Sequence, residues 1–416
     1  MNETRNILCI DLKSFFASCE CIERGLDPFT YPLVVANKKQ GNGAITLAIT
    51  PALKKLGIAS RTRLFDIPSH IKYDIVPPRM KLYIQKSKEV VGIYLDFVAP
   101  EDLHIYSIDE CFLDVTDYLK LYKKNDYELA ETILKTITKK TGLTATCGIG
   151  PNLLLAKVAM DVEAKKYKNG IAKWTYADVS TKLWSITPLS KMWGIGKRME
   201  KKLNYLNIYT IGDLAKYDVN KLKDKFGVMG EELWRHANGQ DESRISDFKI
   251  TCKEASFSHS QVLFKDYNET NIKLIIKEMV EVLTSRLRKH NKECMKIGFG
   301  ISYSKSIGGG FYHQLKLDRP TDDTTEITDM CLLIFDKFYE FLPIRKVSIS
   351  CNNLITKKGK QLSLFEEDKD QKANNIDTTI DEIKDRFGKN SLLKASNLLD
   401  DSTAIERNKK IGGHHE

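Results

Sequence analysis

Long apolar runs are missing from the chain. None approaches the roughly 18 residues that a membrane-crossing helix needs, which excludes an integral helical membrane protein. The opening MNETRNILCI lacks the basic flank and longer apolar core of a secretory signal, so the expected location is the cytoplasm, with no membrane partner. Cysteine pairing patterns are missing too: the nine cysteines are odd in number, form no CxxC pair and stand near no spaced histidine pair. That argues against zinc ligation and a disulfide scaffold, and predicts reduced thiols. Proline (11) and glycine (24) are too scarce in 416 residues for a largely disordered chain. Acidic residues are outnumbered, 55 Asp+Glu against 65 Lys+Arg, although the stretch from Glu366 to Glu416 holds 12 acidic and 9 basic residues. The basic excess therefore belongs to the body of the chain, and an isoelectric point near 8.9 favours a polyanionic partner.

What is present suits several folded domains, two to four at roughly 100 to 200 residues each. NILCIDL reads as a strand ending on a carboxylate, and SFFASCECIERGL as a helix after it. PLVVAN and AITLAIT read as strands about a glycine-bearing turn, with TPALKKLGI as a helix. A helix over Met80–Val98 precedes LHIYSIDECFLDV, two apolar strands flanking an acidic pair at a hairpin turn. A helix over Tyr127–Thr141, the strand TATCGIG and a helix over Asn152–Lys166 complete a first α/β region. Leu183–Asn238 is almost wholly helical, and a second α/β region of βαβαβ order with extra hairpins follows a polar linker around Gly239–Asp247. The tail from Gln371 shows one helix-like stretch, Asp381–Phe387.

Chemistry concentrates at three carboxylates. Asp11 ends one apolar strand while Asp109 and Glu110 interrupt another, so a sheet pairing those strands gathers all three at one edge. Such charges repel unless cations join them, and oxygen-only ligation suits Mg²⁺, two of which can clamp the attacking and leaving oxygens of a phosphoryl transfer. A lone Asp is ordinarily a solvated turn residue. An acidic pair enclosed by YSI and CFLDV is harder to explain that way, because isolated buried charge is costly. Further along, WGIGKRMEKKLNYLNIYTIGDLA has the form of a helix-hairpin-helix. Gly194 and Gly196 would leave backbone N–H groups free for a phosphate oxygen, with Lys197 and Arg198 adding charge there.

IDLKSFFASCE, YSIDECFLDV and CGIGPNLLLAKVAMD occur here in the order and approximate spacing found in Y-family translesion DNA polymerases. The resemblance is to the UmuC/DinB type, most of all the UmuC-like proteins of Gram-positive bacteria, and covers nearly the whole chain to Phe365. It implies an α/β multidomain right-hand polymerase: palm at 1–26 and 81–168, small fingers at 27–80, a helix-hairpin-helix thumb at 169–243, an α/β little finger at 250–356 and a tail at 357–416. It implies that Asp11, Asp109, Glu110 and the Leu12 carbonyl hold two Mg²⁺ ions, with Mn²⁺ as a substitute. Phe16 matches the steric gate against a ribose 2′-hydroxyl, beside Phe15, and Lys157 matches a lysine that approaches the nucleotide phosphates. Where many relatives carry Tyr-x-x-Arg, this chain offers Thr50 and Lys54; a lysine supplies charge there without the bidentate fork of arginine.

In the little finger, Lys249, Lys253, Lys296, Lys305, Arg345 and Lys346 are candidate phosphate contacts. QLSLF resembles the bacterial sliding-clamp pentapeptide, with Gln361, Leu362, Leu364 and Phe365 as contact residues. The implied activity is templated, low-fidelity synthesis past damaged bases within the SOS response. It would be carried out by a monomeric catalytic chain on primer-template DNA and deoxynucleoside triphosphates. Two other classes compete: a different two-metal enzyme such as a cyclase or nuclease, and a non-catalytic damaged-DNA or clamp-binding accessory factor.

Overall fold

The computed structural model describes residues 5–38, 41–249, 255–357, 369–412 and 414–415. They divide into two compact units, Met1–Ile250 with the last three residues, and Thr251–Gly413.

The first unit begins with β1 (Ile7–Leu12), α1 (Phe15–Ile22), β2 (Leu33–Val35), β3 (Ala48–Ile49), α2 (Pro51–Lys55), β4 (Asp74–Val76) and α3 (Met80–Leu95). It continues through β5 (Leu103–Ile105), β6 (Glu110–Asp114), α4 (Tyr118–Tyr122), α5 (Asp126–Thr141), β7 (Ala145–Gly150), α6 (Leu153–Val162) and β8 (Ile171–Lys173). Four helices close it: α7 (Lys197–Asn204), α8 (Ile211–Lys216), α9 (Val219–Phe226) and α10 (Val228–Ala237). A five-stranded sheet of order β5-β6-β1-β7-β8 forms the palm-like centre, and a small sheet of order β3-β2-β4 forms the finger-like part. The apolar run of β1 sits between β6 and β7, antiparallel to both, which is why it is buried except at Asp11. The expected strand over Ala44–Thr50 shortens to two residues. Its backbone divides between two partners, Leu47 N–H to Val35 and Thr46 N–H to Thr62, so no single ladder extends.

CGIG ends the strand expected over TATCGIG. Gly148 and Gly150 lie inside β7, where a Cβ would come 2.0 Å from the Ala156 carbonyl oxygen and 2.4 Å from the Ala156 nitrogen respectively. The absent side chains let the backbone of α6 rest on the strand. Asn152 caps α6 through the Leu155 N–H at 2.8 Å. Helix α5 is bounded by sequence signals alone, a capping box of Asn125 with Glu128 and a left-handed Gly142.

The second unit contains β9 (Phe257–Tyr267), α11 (Glu269–Lys289), β10 (Lys292–Tyr303), β11 (Gly310–Thr321), α12 (Thr324–Phe338) and β12 (Ile344–Thr356). Its sheet, ordered β11-β10-β12-β9, is antiparallel throughout and packs one face on α11 and α12 over a core that includes Ile276, Met279, Phe299 and Phe335. The eight cysteines among the described residues are free and buried. No helix among the described residues is long and apolar enough to cross a membrane.

The tail is far more structured than its single helix-like stretch implied. Helix α13 (Lys369–Phe387) and the short α14 (Ala404–Asn408) belong to the second unit. Asp377, Asp381 and Asp385 recur every four residues on α13 and meet α11: Asp377 and Asp381 pair with Arg288 at 3.2 and 2.6 Å, and Asp385 with Lys289 at 2.7 Å. On α11, Glu278 is almost fully buried, and the tail surrounds it. Its carboxylate accepts from the Thr403 N–H and hydroxyl at 3.2 and 3.1 Å and from Arg407 Nη1 at 3.3 Å, while Arg407 Nη2 reaches the Glu278 carbonyl at 3.2 Å. Because a buried carboxylate stripped of its cation is more costly than no ion pair at all, Arg407→Ala should lower the stability of the second unit by about 3 kcal/mol. The double replacement Glu278→Met/Arg407→Met should recover much of that loss. Denaturant midpoints of the three proteins check both expectations.

Candidate active site

Strand pairing brings the acids together as the sequence implied. Asp11 and Glu110 are direct cross-strand neighbours, and the Leu12 N–H donates to the Asp109 carbonyl at 2.9 Å. The turn carrying Asp109 is tightly held. Tyr106 and Ser107 N–H groups both donate to the Glu110 carbonyl at 3.0 Å, Ser87 Oγ donates to the Ile108 carbonyl at 2.6 Å, and Ser107 Oγ donates to Asp109 Oδ1 at 2.8 Å. All three carboxylates and the end of β1, where Leu12 lies, share one sheet edge.

Burial pushes the carboxyls of Asp11 and Glu110 above the usual range, with lysines opposing the rise. Lys165 Nζ lies 2.7 Å from Asp11 Oδ2 and 2.8 Å from Asp161; Lys157 Nζ lies 2.7 Å from Glu110 and 3.0 Å from Asp161. Beneath Glu110, Cys9 Sγ donates at 3.2 Å. Lys157 is 9% exposed and locked under the acid, whereas Lys165 is 42% exposed at the mouth. Lys165 was not singled out from sequence, yet Lys157, Asp161 and Lys165 recur every four residues, a spacing that marks one face. Among the described residues no three His, Cys, Asp or Glu side chains converge as a ready metal cage. The carboxylates are turned instead onto Lys165, Lys157 and Ser107.

Phe16 has a rigid backing. Ser14 adopts a left-handed backbone, φ 50°, between β1 and α1, which turns the chain so that Phe16 follows Asp11 closely. The Phe16 ring is half-buried against Tyr83, with centroids 4.6 Å apart, and Phe15 packs beside it at 5.5 Å. Tyr83 donates its hydroxyl to Glu20 at 2.7 Å, and Arg79 holds the same carboxylate at 2.7 Å. In the finger-like part, Lys54 lies within electrostatic reach of Asp11, Asp109 and Lys165, and burial lowers its pKa. Thr50 lies fully buried at the start of α2, its hydroxyl accepting from the Leu33 N–H of β2 at 3.1 Å.

The helical hairpin is placed for outside contact. Gly194 has φ +89°, which requires glycine, while Gly196 caps α7 with open space where a Cβ would stand, as does Gly194. Lys197 and Arg198 are exposed at that end. In the second unit the open sheet face is paved with small groups. Tyr312 lies over Gly298 and Gly300, where Cβ atoms would come 2.1 and 2.8 Å from its ring atoms, and its hydroxyl meets Ser350 at 2.7 Å. Lys296 and Lys346 alternate onto this face with Gly298 and Ser348, whereas Arg345 is tied to Asp266 at 3.1 Å and Lys305 is exposed in the β10–β11 turn. The side chain of Lys249, together with Lys253 and the segment Gln361–Phe365, lies outside the described residues.

The carboxylate edge, the adjoining Phe16 ring and the outward helical hairpin fit a template-directed nucleotidyl-transfer enzyme. Residues 10–161 match the impB/mucB/samB family, 254–364 its C-terminal domain, and 190–241 the thumb domain described for DNA polymerase iota. The chain belongs to the Y-family DNA polymerases and is a DNA-directed DNA polymerase. It is 42% identical to the "Putative UV-damage repair protein UvrX" of Bacillus subtilis over 99% of this chain and 97% of that protein. It is 34% identical to DNA polymerase IV 2 of the same organism, over 100% of both chains. A solved Y-family DNA polymerase chimera of Dbh and Dpo4 shares the fold, with a TM-score of 0.66 at 21% identity, over 85% of this chain and 100% of that one.

The seat of α6 on β7 is testable. Gly148→Ala should push α6 from the strand, cost about 1–3 kcal/mol and depress primer extension, because Lys157 rides on that helix. Thermal unfolding and extension on an undamaged primer-template measure the two effects.

Proposed function

We propose that this polymerase carries out low-fidelity DNA synthesis across damaged template bases through two divalent cations at the palm edge, as part of the SOS damage response. The observation that carries this reading is the cross-strand pairing of Asp11 with Glu110 beside the latched carbonyl of Asp109. The donor set is oxygen only and partly buried, and it already draws two ammonium groups, which fits a hard cation such as Mg²⁺ or Mn²⁺. Asp11, Asp109, Glu110 and the Leu12 carbonyl would hold the ions, which would supply Lewis acidity at the attacking primer oxygen and the leaving phosphate oxygen.

The chain's own groups account for the rest. Lys165, the most exposed cation at the acids, is free to move from Asp11 to a triphosphate oxygen, and Lys54 adds charge from the finger side. Lys157 stays beneath Glu110 and holds it in place. Phe16, backed by Tyr83, leaves no room for a ribose 2′-hydroxyl, so deoxynucleotides are selected by shape. The hairpin at Gly194–Arg198 grips the primer-template backbone without reading bases, as does the smooth sheet face about Tyr312 with Lys296 and Lys346. Gln361, Leu362, Leu364 and Phe365 tether the chain to the sliding clamp. The relatives named for DNA polymerase IV and UV-damage repair support synthesis on damaged templates. A monomeric chain in the cytoplasm suffices for this work.

Asp109→Ala or Glu110→Ala should abolish extension over an abasic site while leaving primer-template binding nearly intact, since phosphate contacts supply most of the affinity. Parallel loss of binding would make the acid a structural residue. Phe16→Ala should admit ribonucleotides that the wild type rejects. Incorporation of each nucleotide class opposite one template base reads this out, and unchanged discrimination would remove Phe16 from the gate.

A further inference from the structure

The hairpin that grips DNA and the turn that carries the acids touch through three aromatic rings. Trp193 immediately precedes Gly194, and its Nε1 donates to the Tyr106 hydroxyl at 3.1 Å. The two rings meet edge to face, with centroids 6.0 Å apart at 78°. Both rest on Phe112, Tyr106 at 5.8 Å and 89°, Trp193 at 6.1 Å. Phe112 is fully buried in β6, two residues beyond Glu110, and pairs across the strands with Cys9, whose thiol bonds Glu110. Tyr106 lies three residues before Asp109, and its N–H is bonded to the Glu110 carbonyl. Neither Tyr106 nor Trp193 brings a charge to the site. Tyr106 is nearly half exposed, a poor site for a ring kept only for core packing.

We propose that Trp193 and Tyr106 are positioning residues that fix the distance between the gripped primer backbone and the catalytic carboxylates, so that the primer 3′-hydroxyl meets the nucleotide in register. A phosphate seated at Gly194–Gly196 is one residue from the Trp193 ring, and that ring is braced on the two residues flanking the acids in space. Displacement of the hairpin by about 1 Å would misalign the attacking oxygen, a geometry to which transfer rates are steeply sensitive. The inference rests on the polymerase reading given above.

Single-turnover nucleotide incorporation on a primer-template, with titrations of DNA, nucleotide and Mg²⁺, tests it. Trp193→Phe and Tyr106→Phe each keep a ring and delete one end of the hydrogen bond. Each should lower the incorporation rate about threefold, and the double variant should fall no further, because both remove one shared contact. Trp193→Ala should lower it at least about tenfold. In every variant the primer-template Kd, the nucleotide KM and the Mg²⁺ half-saturation should stay within about twofold of wild type. The conservative Phe variants keep the test decisive if Trp193→Ala unfolds.

Rates equal to wild type overturn the inference. So does a weakened primer-template Kd, which would place Trp193 in the grip itself, or a shifted Mg²⁺ requirement, which would reduce Tyr106 to a support of the acid turn. Additive losses in the double variant also overturn it. A wild type that extends no primer overturns the polymerase reading and this inference together, and is distinguished by that control alone.

Discussion

The active edge depends on how closely one helix approaches one strand. Gly148 and Gly150 remove two side chains from β7, and the backbone of α6 occupies the space. Lys157 is thereby brought under Glu110 and Asp161 under both lysines, while the chain beyond α6 delivers Lys165 to Asp11. Carboxylates buried this far are unfavourable as ions unless positive charge lies within a few ångströms. A contact between backbones thus sets where the lysines stand against Asp11 and Glu110.

Two kinds of cation serve the same acids in different ways. Lys157 is 9% exposed and paired beneath Glu110. Lys165 stands at the mouth, 42% exposed and paired with both Asp11 and Asp161. The acids are thus met by one enclosed and one accessible ammonium.

Much of this was legible in the residues. The acidic hairpin, the strand ending on Asp11, the helix behind Phe16 and the helical hairpin at Gly194 all carry local patterns of period, turn and charge that survive folding unchanged. Other features depend on contacts between distant segments. The strand TATCGIG was readable but not the seat of α6 on Gly148 and Gly150, and nothing local to Thr50 shows that its hydroxyl meets the Leu33 N–H. The strand over Ala44–Thr50 was overestimated because its apolar content says nothing of which partner each amide will choose. In the tail, low hydrophobicity concealed a docked segment held by charge. Asp377, Asp381 and Asp385 had the helical spacing, but nothing in the sequence pointed to Arg288 and Lys289 as their partners.

That tail also bears on the order in which the protein is made. Glu278 is translated long before Arg407, so α11 and the four strands of its domain are complete while the cation that neutralises their buried carboxylate has yet to leave the ribosome. Until Arg407 arrives, the Glu278 carboxylate on α11 lacks the cation that it meets in the folded unit. Carboxylate and cation stand 129 residues apart in the sequence, so the core of the second unit is settled only when two remote segments of it have met.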